Sequence, residues 1–288
     1  MPTLQNDQLS VTIHHQGAEL ASVIDQRDQT QYVWQADPAH WGRHAPVLFP
    51  IVGRLREDQY QHRGQPYRLT QHGFARDCAF ELTETDPDFL QFVLQADVET
   101  LAVYPFDFAL GIRYTLADRS LTVAYTVENR GEAVMPFGLG AHPAFTCPLV
   151  PGELMTDYDL VFSHPETAAR HLLAGGLYTG ETEPVLTDAD RIPVTPTLFD
   201  QDALVFHELA SEWVALRSRV SGREVRVSLA GFPYLGLWSK PGAPFVCLEP
   251  WQGLADYTDA SGDMTDKPGM HLLMPEQVHQ AAYVLTFG

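Results

Sequence analysis

Residues 112–131 read IRYTLADRSLTVAYTVENRG. Ile112, Tyr114 and Leu116 alternate with Arg113 and Thr115, and Leu121, Val123, Tyr125 and Val127 alternate with Thr122, Ala124, Thr126 and Glu128. Successive side chains of a strand point to opposite faces, so this period of two buries one face of each run. The turn at Ala117-Asp118-Arg119-Ser120 and the stop at Asn129-Arg130-Gly131 make the pair an antiparallel hairpin. The same period recurs in both directions along the chain. Leu9, Val11 and Ile13 alternate with Ser10 and Thr12 near the start. Val214–Val220 turns at Ser221-Gly222 and returns through Val225, Val227 and Leu229, and Ala281, Tyr283, Leu285 and Phe287 form a last strand.

Helical signals are sparse. Asp97 is placed to N-cap a short helix through Glu99 and Leu101 that Pro105 ends soon after Tyr104. Residues Pro165 to Leu173 are expected to form another short helical piece, and the Pro-rich stretch Pro184 to Pro196 a long surface connection. Nothing helical is long enough to cover a parallel sheet. No linker, charge run or internal repeat divides the chain. The expectation is a single domain over residues 1–288, all-β, with twelve to twenty short strands in one large antiparallel β-sandwich.

The 288 residues include 37 acidic and 18 basic ones, a formal net charge of −19, and the basic side is sixteen arginines with only Lys240 and Lys267. Phosphate backbones and anionic lipid both need a basic stripe, so nucleic acid and membrane are excluded as partners. No apolar run approaches the roughly 18–20 residues that span a bilayer, and no basic segment followed by an apolar core opens the chain. A soluble cytoplasmic protein is expected. Cys78, Cys147 and Cys247 are odd in number and lack a CxxC pair, so they read as buried free thiols and not as a disulfide framework or zinc site.

Four segments place polar side chains in apolar, glycine-punctuated surroundings. They are Pro46–Leu55, ending in Arg54; Gln71-His72-Gly73-Phe74-Ala75-Arg76; Gly138–Phe145 around His142; and Val246–Gly253 around Glu249. A charge or imidazole buried without partners costs several kcal/mol, so these groups should converge on one another or on a ligand. The remaining histidines lack HxH or HExxH spacing, and adjacent His14 and His15 point to opposite faces, so no metal is expected. There is no GxSxG elbow, GxGxxG loop or GxxxxGK[ST] loop, and apolar surroundings leave Cys78 and Cys247 unactivated. Proton transfer by His and Glu remains.

Six segments together resemble the aldose 1-epimerase (galactose mutarotase-like) family, and its bacterial LacX-like branch in particular. They are Gly17-Ala18-Glu19-Leu20, Phe49-Pro50 to Gly53-Arg54, Gln71 to Arg76, Gly140 to Phe145, Asp202-Ala203-Leu204 and Leu248-Glu249-Pro250-Trp251, in the family's order across nearly the whole chain. The resemblance implies a β-supersandwich with a shallow open cleft and cofactor-free interconversion of α and β sugar anomers. It further implies Glu249 as the base on the anomeric hydroxyl, His142 as the acid on the ring oxygen, and His72 as an orienting group. Arg54 and Asp202 would bind sugar hydroxyls, with Asp200 competing for the second place because same-parity spacing would put both on one strand face. Phe145, Trp238 and Trp251 could stack on the sugar.

The compact QHGFAR segment also resembles the hexose-6-phosphate mutarotase branch. Six arginines fall between Arg43 and Arg76, and Arg76 could reach an anionic substituent. A free hexose, a hexose phosphate and a non-catalytic sugar-sensing module therefore stay open. A glycoside hydrolase would want a second carboxylate in a site-like segment, and only Glu249 occupies one.

Overall fold

The period seen in the sequence returns as burial. In the computed structural model, which describes residues 1–288, strand Ser120–Asn129 buries every second residue and pairs antiparallel with Phe108–Ala117. Ala117 faces Ser120, so Asp118 and Arg119 alone make the turn, with Asp118 at a φ of 48°. The strands Leu9–Ile13, Trp213–Ser218, Glu224–Ser228 and Val278–Phe287 form where their alternation places them. Asp97 caps the one α-helix, Val98–Val103, in a reciprocal box with Thr100. No helix is long and apolar enough to cross a membrane.

Twenty-two strands build an all-β, antiparallel supersandwich. The count exceeds the expected range because two- and three-residue strands such as Val47–Leu48 and Leu139–Ala141 are too short to show a period. Fifteen strands share one sheet. From one edge it runs through Val47–Leu48, Leu139–Ala141, Phe245–Gln252, Tyr234–Trp238, Leu204–His207 and Tyr158–Ala174. It continues through Trp213–Ser218, Glu224–Ser228, Val278–Phe287, Ser120–Asn129 and Phe108–Ala117 towards the other edge. Sixty-three buried residues from Leu4 to Phe287 form its main core.

Two expectations fail in one place. Pro165–Leu173 is not helical but part of strand Tyr158–Ala174, and Pro184–Pro196 is largely strand Leu177–Pro193, the two forming a long hairpin. Four register shifts break its alternation, which hides it from a periodicity reading. Pro184 and Pro193 lie on a strand that pairs with only one neighbour, where a missing N–H is tolerated, and Pro165 falls in the register shift between Val161 and Glu166. Asp200 and Asp202 likewise do not share a strand face, since the next strand begins at Leu204 and Asp202 has a φ of 76°.

One buried carboxylate ties the distant turns together. Asp25, with no exposed surface, accepts from Arg27 Nη2 at 2.8 Å, Arg119 Nη2 at 2.7 Å and Arg223 Nη1 at 3.1 Å. The hydrogen bond from Arg27, together with the Arg119 charge, holds its carboxyl well below the usual range against the opposing effect of desolvation. A depressed folded-state pKa means full stabilisation above the unfolded value, lost progressively as pH falls through and below it. Asp25→Asn should lower the unfolding free energy by about 3–5 kcal/mol at neutral pH, read from the urea midpoint. The difference from wild type should shrink as the pH is lowered through 4.

Candidate active site

Strand Phe245–Gln252 is buried at all eight positions and hydrogen-bonded along both edges. On one side lie two short strands, Leu139–Ala141 and Ala144–Thr146, with Gly140 opposite Trp251 and Ala144 opposite Cys247. These two pairs share one register, and that register sets His142 opposite Glu249 in the gap between them. Directly opposed residues lie on one face with their Cβ atoms about 5 Å apart. The side chains meet accordingly, His142 Nε2 standing 3.2 Å from Glu249 Oε2.

The pair lies in a cavity of about 460 Å3 walled by Trp41, Trp238, Trp251, Tyr178, His72 and Arg76, among others. Burial pushes Glu249 well above the ordinary carboxylate range, with the Asp202 charge adding to the effect, and lowers His142 to about 3. Burial thus favours the neutral form of each group. Glu249 Oε2, His142 Nδ1, Trp251 Nε1 and Arg76 Nε are all buried without a hydrogen-bond partner. Buried polar atoms are rarely left so, and their gathering around one cavity marks a place for a polar ligand.

His72 is fixed from behind. Its backbone N–H donates to Gly53 O at 2.8 Å, and its Nδ1 accepts the Gly53 N–H at 3.2 Å. The ring proton therefore sits on Nε2, which is left as a donor. Burial lowers the His72 pKa far enough to keep it neutral. Its φ of 69° and that of Gly73 at 71° turn the chain sharply here, and a Cβ on Gly73 would meet Phe49 O at 2.3 Å.

The other expected residues divide. Arg54 reaches the wall, but its fork is engaged by Asp58 at 2.8 and 3.0 Å and by Gly175 O at 3.2 Å. Arg76 lines the cavity with Nη2 held by Gln71 O. Asp202 lines it too, its Oδ1 accepting the Ala203 N–H, whereas Asp200 lies outside. Phe145 is wholly in the core, while Trp238 and Trp251 border the cavity. Arg43, tied to Asp77 at 2.8 Å, does not line the cavity, and neither do Arg56, Arg63 and Arg68.

Sequence reading missed Trp41, whose ring stacks on His142 with centroids 5.0 Å apart. It also missed the hairpin tip at Gly175–Gly176 and Tyr178. The Gly175-Gly176 pair is a turn signal that the helical reading of the preceding residues obscured. That tip is anchored by Asp256, a buried residue paired with Lys267 Nζ at 3.0 Å. Asp256 N–H donates to Arg54 O, and Asp256 O accepts the Tyr178 N–H, each at 2.9 Å.

A family model described as aldose 1-epimerase matches residues 2–285. The chromosomal and plasmid LacX proteins of Lactococcus lactis subsp. lactis are each 36% identical over 293 residues, covering 98% of this chain and 98% of the relative. A galactose mutarotase related enzyme from Lactobacillus acidophilus superposes with a TM-score of 0.96 at 37% identity, covering 100% of this chain and 97% of that one. A galactose mutarotase-like protein from Lactobacillus casei ATCC 334 gives 0.93 at 32% identity, with 100% of both chains covered.

Trp251 can lie across its neighbours because glycines flank it. A Cβ on Gly236 would fall 2.6 Å from its Cζ2, and one on Gly140 would fall 2.9 Å from its Cδ1. Gly236→Ala should therefore displace the indole, at a cost of about 1–3 kcal/mol in stability. A changed near-ultraviolet circular dichroism signal and weaker sugar binding should accompany it. An unchanged indole signal with unchanged stability would remove Gly236 from this role.

Proposed function

The chain belongs to the aldose 1-epimerase family, and from that membership we propose that it interconverts the α and β anomers of a free hexose by acid–base ring opening. The observation that carries the reading is the His142–Glu249 contact at 3.2 Å on a cavity of about 460 Å3, a size suited to a small ligand. A protein that only sensed a sugar would have no use for a buried acid and base placed against each other.

Glu249, as carboxylate, takes the proton from the anomeric hydroxyl while the C1–O5 bond breaks and C1 becomes a carbonyl. His142, as imidazolium, gives its proton to O5. Rotation about C1–C2 and closure on the other face reverse both transfers and yield the other anomer. The starting ionic form arises from the resting neutral pair when the shared proton crosses from Glu249 to His142, so no proton is exchanged with solvent. Ring opening then returns the pair to its neutral form, the one that burial favours. His72 Nε2–H is suited to donate to a sugar oxygen and Asp202 to accept from a hydroxyl at the rim, while Arg54, its fork held by Asp58 and Gly175 O, shapes the wall and does not take the hydroxyl role expected of it. Trp41, Trp238 and Trp251 offer apolar ring faces to the sugar's C–H groups.

The arginines favour a neutral sugar over a phosphorylated one. Only Arg54 and Arg76 line the cavity, and the Arg54 fork is engaged by Asp58. A phosphate would be left with Arg76 alone, in a cavity that Asp202 also lines, in a protein of net charge −19.

Polarimetry of freshly dissolved α-D-glucose and α-D-galactose, beside exchange NMR of their 6-phosphates, tests the reading. Acceleration of the free sugars is expected, and acceleration of none of them above buffer overturns it. Glu249→Gln and His142→Asn should each lose at least about a hundredfold in rate, the lower end for an acid–base group. The pH profile follows from the shared proton. A second proton enters the pair only as pH approaches the lowered His142 value of about 3, so the rate should hold from neutrality down to about pH 5. The alkaline limb marks loss of the single proton, at a pH well above the ordinary glutamate value. An acid limb centred at 6.5 would show an unperturbed histidine and sink the buried-pair mechanism.

A further inference from the structure

A second cluster of donors lies outside the cavity, where three segments distant in sequence meet. His14 follows strand Leu9–Ile13, Glu19 precedes strand Leu20–Asp25, and His44 belongs to the loop ahead of Val47–Leu48. One ligand atom from each lies within 4.8 Å of the others. The rings of His14 and His44 stand edge to face with centroids 5.3 Å apart.

The bonding within the cluster is incomplete. Glu19 Oε1 accepts the backbone N–H groups of His44 and Ala45 at 2.8 and 2.9 Å, which fixes the carboxylate. Its Oε2 accepts no hydrogen bond and stands 3.8 Å from His44 Nδ1, too far for one. His44 Nδ1 is itself buried and has no partner. The turn carrying His14 and Glu19 is closed by a backbone bond from His14 N to Glu19 O at 2.8 Å. A Cβ on Gly17 within it would meet Arg76 O at 2.9 Å, so the turn is packed in place.

We propose that His14, Glu19 and His44 form a binding site for a zinc-class divalent transition ion. Two imidazoles and one carboxylate oxygen are the donors that such ions take, whereas calcium and magnesium would want an all-oxygen set. Ligand atoms at zinc distances lie about 3.3 Å apart in a tetrahedral site, so the 3.8 Å gap closes by about half an ångström, and the separations from His14, within 4.8 Å, by at most about 1.5 Å. His44 Nδ1 and Glu19 Oε2 would gain the partner they lack, and water would complete the coordination on the solvent side. The ion would pin this turn to the loop that carries Trp41, three residues before His44, against the His142 ring. His15, turned away towards Phe92, takes no part.

The test needs no enzymatic activity, so its failure would be separate from failure of the epimerase reading. Full-length protein stripped of metal is titrated with Co2+, followed by visible d–d absorption, and with Zn2+, followed by calorimetry. Saturation at one equivalent is expected, with affinity reduced at least about tenfold in His14→Ala and in His44→Ala and unchanged in His15→Ala. Zn2+ should raise the melting temperature of wild type but not of His14→Ala, a half-buried residue whose ring makes no hydrogen bond. Absence of saturable binding by either ion overturns the site, as does wild-type affinity in both variants. A thiolate-to-cobalt charge-transfer band would overturn it too. It would place the ion on Cys247 with His142 and Glu249, whose ligand atoms also lie within 4.8 Å of one another.

Discussion

The arrangement depends on an interruption in one antiparallel ladder. Leu139–Ala141 and Ala144–Thr146 pair with strand Phe245–Gln252 in a single register, and between them the chain leaves the ladder at His142 and Pro143. The gap lets an imidazole turn towards the residue opposite, which is Glu249 in a strand buried at every position. Neither group could be buried as a lone ion at acceptable cost, because desolvation of an isolated ion outweighs most local compensation. They stand 3.2 Å apart, burial favours the neutral form of each, and the proposed mechanism passes one proton between them. Burial, which opposes the charge of Asp25 elsewhere in the molecule, here shifts an acid and a base towards their neutral forms together.

The neighbouring strands give way to this pair. On the far side of Glu249 its cross-strand partner is Gly236, and Trp251 is opposite Gly140. A side chain at either glycine would occupy the space of the Trp251 indole. The missing side chains thus admit one large aromatic wall beside the carboxylate. The remaining walls arrive on loops that are tied down polar group by polar group. Gly53 grips His72, Asp256 joins Arg54 to the hairpin bearing Tyr178, and Glu19 caps the loop that follows Trp41. Loops carry the recognition surface, and buried hydrogen bonds give them the rigidity of strands.

How much of this could be read beforehand depends on the length of the period. The Phe108–Asn129 hairpin and the closing strand were legible because ten-residue strands show their alternation in full. The 158–193 hairpin was not, since register shifts and prolines erase the period that would reveal it. Glu249, His142 and His72 stood out as polar groups in apolar segments, which is a statement about burial. That they share one cavity is a statement about register, and register is not written locally. Trp41 had no signal of its own: a tryptophan between His40 and Gly42 follows no period. Asp202 separates from Asp200 only through a turn at positive φ that sequence parity cannot foresee.

The charge balance acquires a location once the fold is known. Five of the sixteen arginines hold carboxylates of the frame: Arg27, Arg119 and Arg223 surround Asp25, Arg219 pairs with Asp159, and Arg170 with Glu183. The buried acids among them are held by partners, while the cavity is lined by the His142–Glu249 pair, which burial drives towards its neutral forms, by His72, by Asp202 and by Arg76 with its unpartnered buried nitrogen. A strongly negative surface repels anions at a distance and is indifferent to uncharged solutes. Inside, recognition rests on aromatic faces and on a few hydrogen-bonding groups whose orientation is fixed from behind. Such a site is matched to a solute that is polar at its edges, apolar on its faces and without net charge. The free hexose proposed as substrate has those properties, and a net charge of −19 does not oppose its approach.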